Sequence, residues 1–289
     1  MFKNPFSNRV KKTISIYLGM HKVAICEEKN GQPTLIAGEF VQSDAEWEAV
    51  IKKLVIAHNL QWFNVSVVLS KDFYQTFDID KPQLEEKELL ATLPFSIKDL
   101  VSDSVFDLVV DYFDKPAQVR KKEQITVVCI PKSRVISIRD MLKNTELTLS
   151  VVTIEEMATC QLFENSGDAN LLLYQHRNEL VLSVVKNGQL YFSLRIRGYN
   201  ELLPLPLDEV ENVLIDGLSL EIQRALDYIN SQLRIHTIGG LYLAIQCPDI
   251  NLLADKLASY LDKSVQPFPE QYNYHFLFAY GGFDRGLAQ

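Results

Sequence analysis

Residues 213–229 read VLIDGLSLEIQRALDYI. Val213, Leu214, Leu218, Leu220, Ile222, Ala225, Leu226 and Ile229 recur at spacings of three and four, the pattern of an amphipathic helix with one buried stripe. The segments on either side decide what that helix belongs to. Before it, 169–174 (ANLLLY), 179–185 (ELVLSVV) and 189–196 (QLYFSLRI) are strand-like runs, the last two separated by Lys186-Asn187-Gly188. After it come a strand at 238–245, a helix at 249–261 and a short strand at 264–266. Asn-Gly between β-rich runs is a strong hairpin signal, because both residues tolerate positive φ.

The chain opens on the same plan. Strands at 13–18 (TISIYL) and 22–26 (KVAIC) flank Gly19-Met20-His21, a turn at Lys29-Asn30-Gly31-Gln32 leads to a strand at 33–41, and a helix at 44–58 starts from Ser43 or Asp44. Strand 64–69 follows. Two copies of a β-β-β-α unit in one chain predict two lobes related by duplication. The intervening stretch predicts a helix at 83–93 ending at Pro94-Phe95 and a short helix at 96–101. It continues with strands at 105–113 and 124–130 around a polar loop, a helix at 132–144, a strand at 147–152 and a helix at 154–163. Residues 272–287 read as a closing helix broken near Gly281-Gly282.

Composition narrows the function classes. With 289 residues, 47% of them hydrophobic, the chain can bury a large core and exceeds one compact domain. A formal net charge of −8 disfavours bulk nucleic-acid binding. The clear basic cluster is Lys3, Arg9, Lys11 and Lys12 beside Phe2 and Phe6, read as a solvated tail. No apolar run reaches the ~20 residues needed to span a bilayer, and no secretory leader pattern is visible. Cys26, Cys129, Cys160 and Cys247 lie far apart without CxxC spacing, as reduced core thiols of a cytoplasmic protein do, and no His or Asp joins them at metal-ligand spacing.

Four segments carry a family resemblance: LEEKELLATLPFSIKDLVSDSVFDLVVDYF (84–113), ITVVCIPKSRVISIRDMLKNTELTLSVVTIEEMATCQLF (125–163), LEIQRALDYI (220–229) and FAYGGFDRGL (278–287). In order and spacing they resemble the PilM family, actin-like proteins of type IV pilus assembly, and within it the MshI branch that serves the mannose-sensitive haemagglutinin (MSHA) pilus. The resemblance implies an α/β actin-like fold with mixed sheets and two lobes. It places the first lobe at 1–42 and 151–168, an inserted α+β subdomain at 43–150 and the second lobe at 169–289. The insertion usual in the second lobe is reduced to the link between 196 and 213.

The same resemblance implies where a nucleotide would sit and shows its loops altered. Actin-like ATPases cradle phosphates between two hairpin turns, each with an acid for Mg²⁺ and Gly or Ser for close backbone approach. At the first turn this chain has Tyr17-Leu18-Gly19-Met20-His21-Lys22, with Tyr17 where the family has an acid; Gly19 survives, and Lys22 keeps a cation within reach of a phosphate. At the second it has Tyr174-Gln175-His176-Arg177-Asn178, with no acid, glycine or serine. The family's third loop is Gly-Gly after a strand; here Gly239-Gly240 precede the strand, and Gln246-Cys247-Pro248-Asp249 follow it. His21 and His176, at equivalent turns, read as exposed turn residues. The adjacent acids Glu27-Glu28, Glu85-Glu86 and Glu155-Glu156 diverge by about 100° wherever they are helical, so no pair converges on one substrate.

The resemblance, with these loops altered, implies a non-catalytic scaffold with no ATP, no Mg²⁺ and no other metal. It would sit at the cytoplasmic face of the inner membrane in a pilus machine, held there through a bitopic PilN-like partner, with homo-oligomerisation left open. The family's partner segment enters between the first lobe and its insertion, and the apolar stretch at Leu93, Pro94, Phe95 and Ile97 is the first candidate surface. Two alternatives stand beside it. One is an active Mg-ATP-dependent ATPase, for which Asp107, Asp111 and Asp216 are the nearest acids. The other is a soluble relative of the cytoplasmic domain of a type II secretion assembly protein.

Overall fold

The structure, a computed structural model, describes residues 12–116, 122–163, 167–199, 206–207 and 212–283. Strands β1 (Thr13–Leu18), β2 (Lys22–Lys29) and β3 (Gln32–Phe40) form an antiparallel meander. Helix α1 (Trp47–His58) then returns the chain to β4 (Asn64–Leu69), which pairs with β1 in parallel. After an excursion, helix α3 (Lys132–Asn144) leads to β8 (Thr148–Ile154), giving the sheet order β3-β2-β1-β4-β8. The second lobe repeats this. Strands β9 (Ala169–His176), β10 (Glu179–Lys186) and β11 (Gln189–Ile196) are followed by α5 (Asn212–Ser231), β12 (Ile238–Ala244), α6 (Ile250–Leu261) and β13 (Val265–Pro267), in the order β11-β10-β9-β12-β13.

The duplication reaches individual turns. Lys29-Asn30-Gly31-Gln32 and Lys186-Asn187-Gly188-Gln189 close corresponding hairpins, and Asn30, Gly31, Asn187 and Gly188 all have φ between 51° and 75°. Two consecutive positive φ values match the right-handed twist of the flanking strands.

Both faces of each central strand are buried, which explains their unbroken apolar runs. In β1, Ile14, Ile16 and Leu18 enter the first-lobe core, while Tyr17 points to the opposite face. In β9, Leu171 and Leu173 enter the second-lobe core, while Leu172 and Tyr174 point to the layer between the lobes. Helix α5 covers the second-lobe sheet with Ile215, Leu218, Ile222, Ala225 and Ile229. Val213 (64% exposed) and Leu220 (51%), expected in its stripe, face outward. Ile215 supplies the contact instead, because it shares an arc with Leu218 and Ile222.

The insertion is smaller than the expected 43–150. Its own sheet, β5-β7-β6, consists of β5 (Gln75–Asp80), β6 (Leu108–Asp114) and β7 (Gln124–Pro131), with α2 (Glu86–Ser96) on one face. Strands β4 and β8 are hydrogen-bonded into the first-lobe sheet, and α1 and α3 pack on its core, so these four elements belong to the first lobe.

Helix α2 also runs past its expected end. It continues through Pro94 to Ser96, and 97–100 is a turn where a short helix was expected. A proline inside a helix costs ~3 kcal/mol. Here Leu89, Leu93 and Ile97, four apart and nearly inaccessible, reach the sheet only if the turn continues, and their burial at ~1.5–3 kcal/mol each offsets that cost.

The last segment is not part of the second lobe, and it does not form the long helix expected at 272–287. Within the described residues it is a single 3-10 turn at Glu270–Tyr272 and a four-residue helix α7 (Leu277–Tyr280) that returns to the first lobe. Tyr280 Oη donates to Gly31 O at 2.7 Å. Gly281 and Gly282, expected as a helix bend, allow this return. A Cβ on Gly281 would lie 2.3 Å from the Ala158 carbonyl oxygen, and one on Gly282 would lie 1.9 Å from Ser15 Oγ.

Gly281→Ala therefore forces backbone apart. We expect it to destabilise by ~1–3 kcal/mol and to lower the unfolding midpoint by several degrees in calorimetry. An unchanged midpoint would show that the carboxy-terminal return is not closely packed.

Candidate functional site

The two hairpin turns face each other. Gly19–His21 joins β1 to β2, with the Gly19 N–H donating to Lys22 O at 2.9 Å, and Trp47 Nε1 braces it by donating to Gly19 O at 3.0 Å. Arg177, at φ 52°, tops the β9–β10 turn. Between the turns lies a cavity of about 210 Å³ lined by Gly19, Met20, His21, Lys22, Gln175, His176 and Arg177, with Ser70, Asp72, Ala244, Gln246 and His275. Gly239 and Gly240 are elsewhere: they start β12, and its other end carries Ala244 and Gln246 to the cavity.

Asp72 closes the cavity from the first lobe. Its Oδ1 lies 2.7 Å from Arg177 Nη2 and 3.4 Å from His176 Nε2, and Ser70 Oγ donates to Oδ2 at 3.2 Å. Burial alone would raise its carboxyl; the hydrogen bond and charge of His176, with the charge of Arg177, outweigh that and hold it below the usual aspartate range. His21 is exposed as expected. His176 is not, with 11% of its side chain accessible.

Beneath the cavity the polar groups are buried. Tyr17 Oη donates to Glu155 Oε1 at 2.7 Å. Tyr74 Oη donates to Glu156 Oε2, and Lys71 Nζ lies 2.9 Å from Glu156 Oε1. Glu155 and Glu156 diverge, as neighbours opening the short helix α4 (Glu155–Cys160) must, yet both are buried and each takes a phenol. Among the described residues Glu155 Oε2 has no hydrogen-bond partner; His176 Nδ1 is 3.9 Å away. Burial first, then the charge of Glu155, pushes the Tyr17 phenol far above its ordinary value, so it stays a donor. Phe278 of α7 stacks on Tyr17 (centroids 5.6 Å) and meets Tyr174 edge-on (4.9 Å).

Lys22 is the cation of this site without an acid partner: among the described residues no carboxylate lies within ion-pair distance of its ammonium. Burial pushes it below its ordinary value, opposed by the charge of Glu155, and Nζ sits 5.5 Å from the Tyr17 ring centroid. Burial, and then the charge of Lys22, push the His275 imidazole down.

The structure separates the expected partner-binding residues. Leu93 and Ile97 are fully buried in the insertion core, Pro94 is half-buried, and Phe95 is 54% exposed, edge-on to Phe106 at 6.2 Å. A different groove, of about 190 Å³, runs where the insertion joins the first lobe, lined by Asp72–Gln75, Val101, Asp103, Leu108, Cys129, Pro131 and Arg134. Arg134 pairs with Asp44 at 2.6 Å and covers the Phe73 ring at 4.8 Å.

Sequence reading missed Ser70, Asp72, Tyr74, Glu155, Glu156 and His275. All but His275 follow the carboxyl end of a parallel strand, where open α/β sheets place ligands, and that rule would have found them. Asp107, Asp111 and Asp216 do not line this cavity. Among the described residues, no group of three His, Cys, Asp or Glu is placed to hold a metal ion. The amino-terminal basic cluster lies outside the described residues apart from Lys12. None of the four cysteines is in a disulfide, and burial pushes the Cys160 thiol up to about 12. No described helix is long and apolar enough to cross a membrane.

No family model and no curated protein matches the chain by sequence. Solved structures do. A PilM–PilN type IV pilus biogenesis complex superposes with a TM-score of 0.68 at 16% identity, over 98% of this chain and 100% of the other. The cytoplasmic domain of EpsL, an inner-membrane component of the type II secretion system of Vibrio cholerae, gives 0.51 at 14%, over 82% and 83%. A Bacteroides thetaiotaomicron protein of unknown function with an actin-like ATPase fold gives 0.52 at 12%, over 96% and 99%. The chain has the actin-like fold. Tyr17 and Tyr174 both point into the layer between its lobes.

Asp72→Asn removes the carboxylate that joins the lobes. Because the folded carboxyl is held low, its stabilisation is present above the unfolded value, ~3.9, and is lost as pH falls through the folded value. We expect a cost of ~1–3 kcal/mol at pH 7 and a gap to wild type that narrows below about pH 4 in urea unfolding. A gap independent of pH would break the linkage.

Proposed function

We propose that this protein is a non-catalytic scaffold of a type IV pilus machine of the MSHA type. It would work at the cytoplasmic face of the inner membrane and bind the amino-terminal segment of a bitopic PilN-like protein. The observation that carries this reading is the cleft. Both turns place tyrosine where metal-binding acids would be needed, and the Tyr17 hydroxyl is committed to Glu155. Mg²⁺ would lose its anchor, and with it the charge compensation that phosphoryl transfer requires. The whole-length superposition on PilM in a complex with PilN supports the choice of machine and partner. The EpsL likeness supports the type II secretion alternative over a smaller share of both chains.

The groove at the root of the insertion suits the partner segment. Its apolar walls, with Asp103 and Arg134 at its sides, fit an extended peptide that uses main-chain bonds and a few side-chain pockets. The insertion's core helix, with Leu93 and Ile97 fully buried, does not offer that surface.

Titration calorimetry with a synthetic amino-terminal peptide of the PilN-like partner tests this. Val101→Arg should weaken binding at least tenfold, ~1.4 kcal/mol, while Phe95→Ser should leave it within a factor of two. The reverse pattern would move the partner to the outer face of α2. Steady hydrolysis of Mg-ATP by the purified chain, abolished by Glu155→Gln, would replace the scaffold with an ATPase.

A further inference from the structure

We propose that the end of the first lobe carrying Lys12 and Trp62 docks directly on an anionic lipid bilayer. As a scaffold the chain would reach the membrane only through its partner; this contact is its own and does not rest on the choice of machine. Trp62 lies in the link between α1 and β4 with φ 69°, a left-handed conformation that is an outlier for a bulky side chain. Its N–H donates to Glu146 O at 2.7 Å, which holds the link in that form, and 71% of the residue is exposed. The chain's other tryptophan, Trp47, is buried. Strain that sets an indole in water serves nothing inside the fold. At a headgroup boundary the same indole buries its ring and keeps its N–H wet.

The charge at this end selects the lipid. Asn64 N–H donates to Lys12 O at 2.9 Å, so the amino-terminal residues join the body beside the strand that follows Trp62. Lys12 Nζ lies 5.5 Å from the Phe63 ring centroid, and its side chain is 70% exposed. Its pair with Glu27, at 3.8 Å, is a surface pair of little worth, which leaves the ammonium available to a lipid phosphate. Residues 1–11 add Lys3, Arg9 and Lys11, with Phe2 and Phe6 and no Asp or Glu. Glu27, Glu28 and Glu146 share this end with Lys12 and Lys29, so those three further cations set its balance. Cations beside aromatic rings are what an anionic headgroup layer attracts. A protein interface would need about 800 Å² per partner around an apolar core; Trp62, flanked by Asn59, Gln61 and Asn64, offers one ring. The partner groove follows the carboxyl end of β4, whereas Trp62 precedes its amino end, roughly 20 Å away along a six-residue strand. A bilayer at this end leaves that groove open.

Vesicle sedimentation and tryptophan fluorescence on the full chain test the proposal. No partner peptide is present, so its failure and that of the partner groove are separate results. Vesicles of equal parts phosphatidylglycerol and phosphatidylcholine should sediment the chain and shift its tryptophan emission to the blue. Phosphatidylcholine alone should do neither. Because Trp47 is already buried, the shift reports Trp62. Trp62→Gly, which suits φ 69°, should keep or raise the unfolding midpoint and weaken vesicle binding roughly fivefold or more. Lys11→Glu together with Lys12→Glu should weaken it roughly tenfold or more. Equal binding to both vesicles, binding without a blue shift, or binding unchanged in Trp62→Gly would overturn the proposal. So would a wild-type dimer in gel filtration that Trp62→Gly dissolves, which would make this end an interface between copies. Should Trp62→Gly not fold, the wild-type blue shift and the double lysine variant still decide.

Discussion

Phe278 sits between Tyr17 and Tyr174, and the two lobes meet through that contact. Each tyrosine comes from the central strand of its own sheet, at the face turned away from the lobe core. Neither sheet could leave that face bare, because strands buried on both sides carry no polar row to offer to water. The carboxy-terminal segment fills the space with Phe276, Leu277, Phe278 and Tyr280, and it gets there only because Gly281 and Gly282 leave room against Ala158 and Ser15. A phenylalanine from one end of the chain thus closes a layer begun at the other.

That apolar layer changes the chemistry of the cleft above it. Two phenols lie in the layer, and Glu155 is a buried carboxylate with one oxygen satisfied and the other, among the described residues, without a hydrogen-bond partner. Buried charge is tolerated when it is paired, and here the pairing is shared out. Tyr17 takes Glu155, Tyr74 and Lys71 take Glu156, and Asp72 takes Arg177 and His176 across the lobe boundary. Helix α4 is where the first two of these sets converge, and the third, Asp72 with Arg177 and His176, holds the lobes to each other.

Much of the fold was legible from local pattern. The Asn-Gly turns at 30–31 and 187–188, the paired meanders they close, and helix 213–229 are properties of short windows, and each is where periodicity and turn chemistry put it. The misreadings share a cause. Pro94 signals a helix end, but burial of Leu93 and Ile97 outweighs the local rule. The three-and-four spacing puts Leu220 in the core stripe, but the arc facing the sheet passes through Ile215. The boundaries of the insertion failed because hydrogen bonding between β4 and β1 links residues fifty positions apart, and no local window carries that register.

The candidate site divides in the same way. The sequence by itself determined that the two turns carry no acid and that the first holds Gly19 and Lys22, since those are statements about residue type at a turn. Tertiary structure alone decided that Asp72 reaches Arg177, that Glu155 and Glu156 face inward, and that His275 arrives from the carboxy-terminal segment. These groups follow β4, β8 and β9 or lie in the carboxy-terminal segment, far apart in sequence, and meet only once the two sheets are packed against each other. A charge's environment, and hence its chemistry, is a property of that packing and not of its neighbours in the chain.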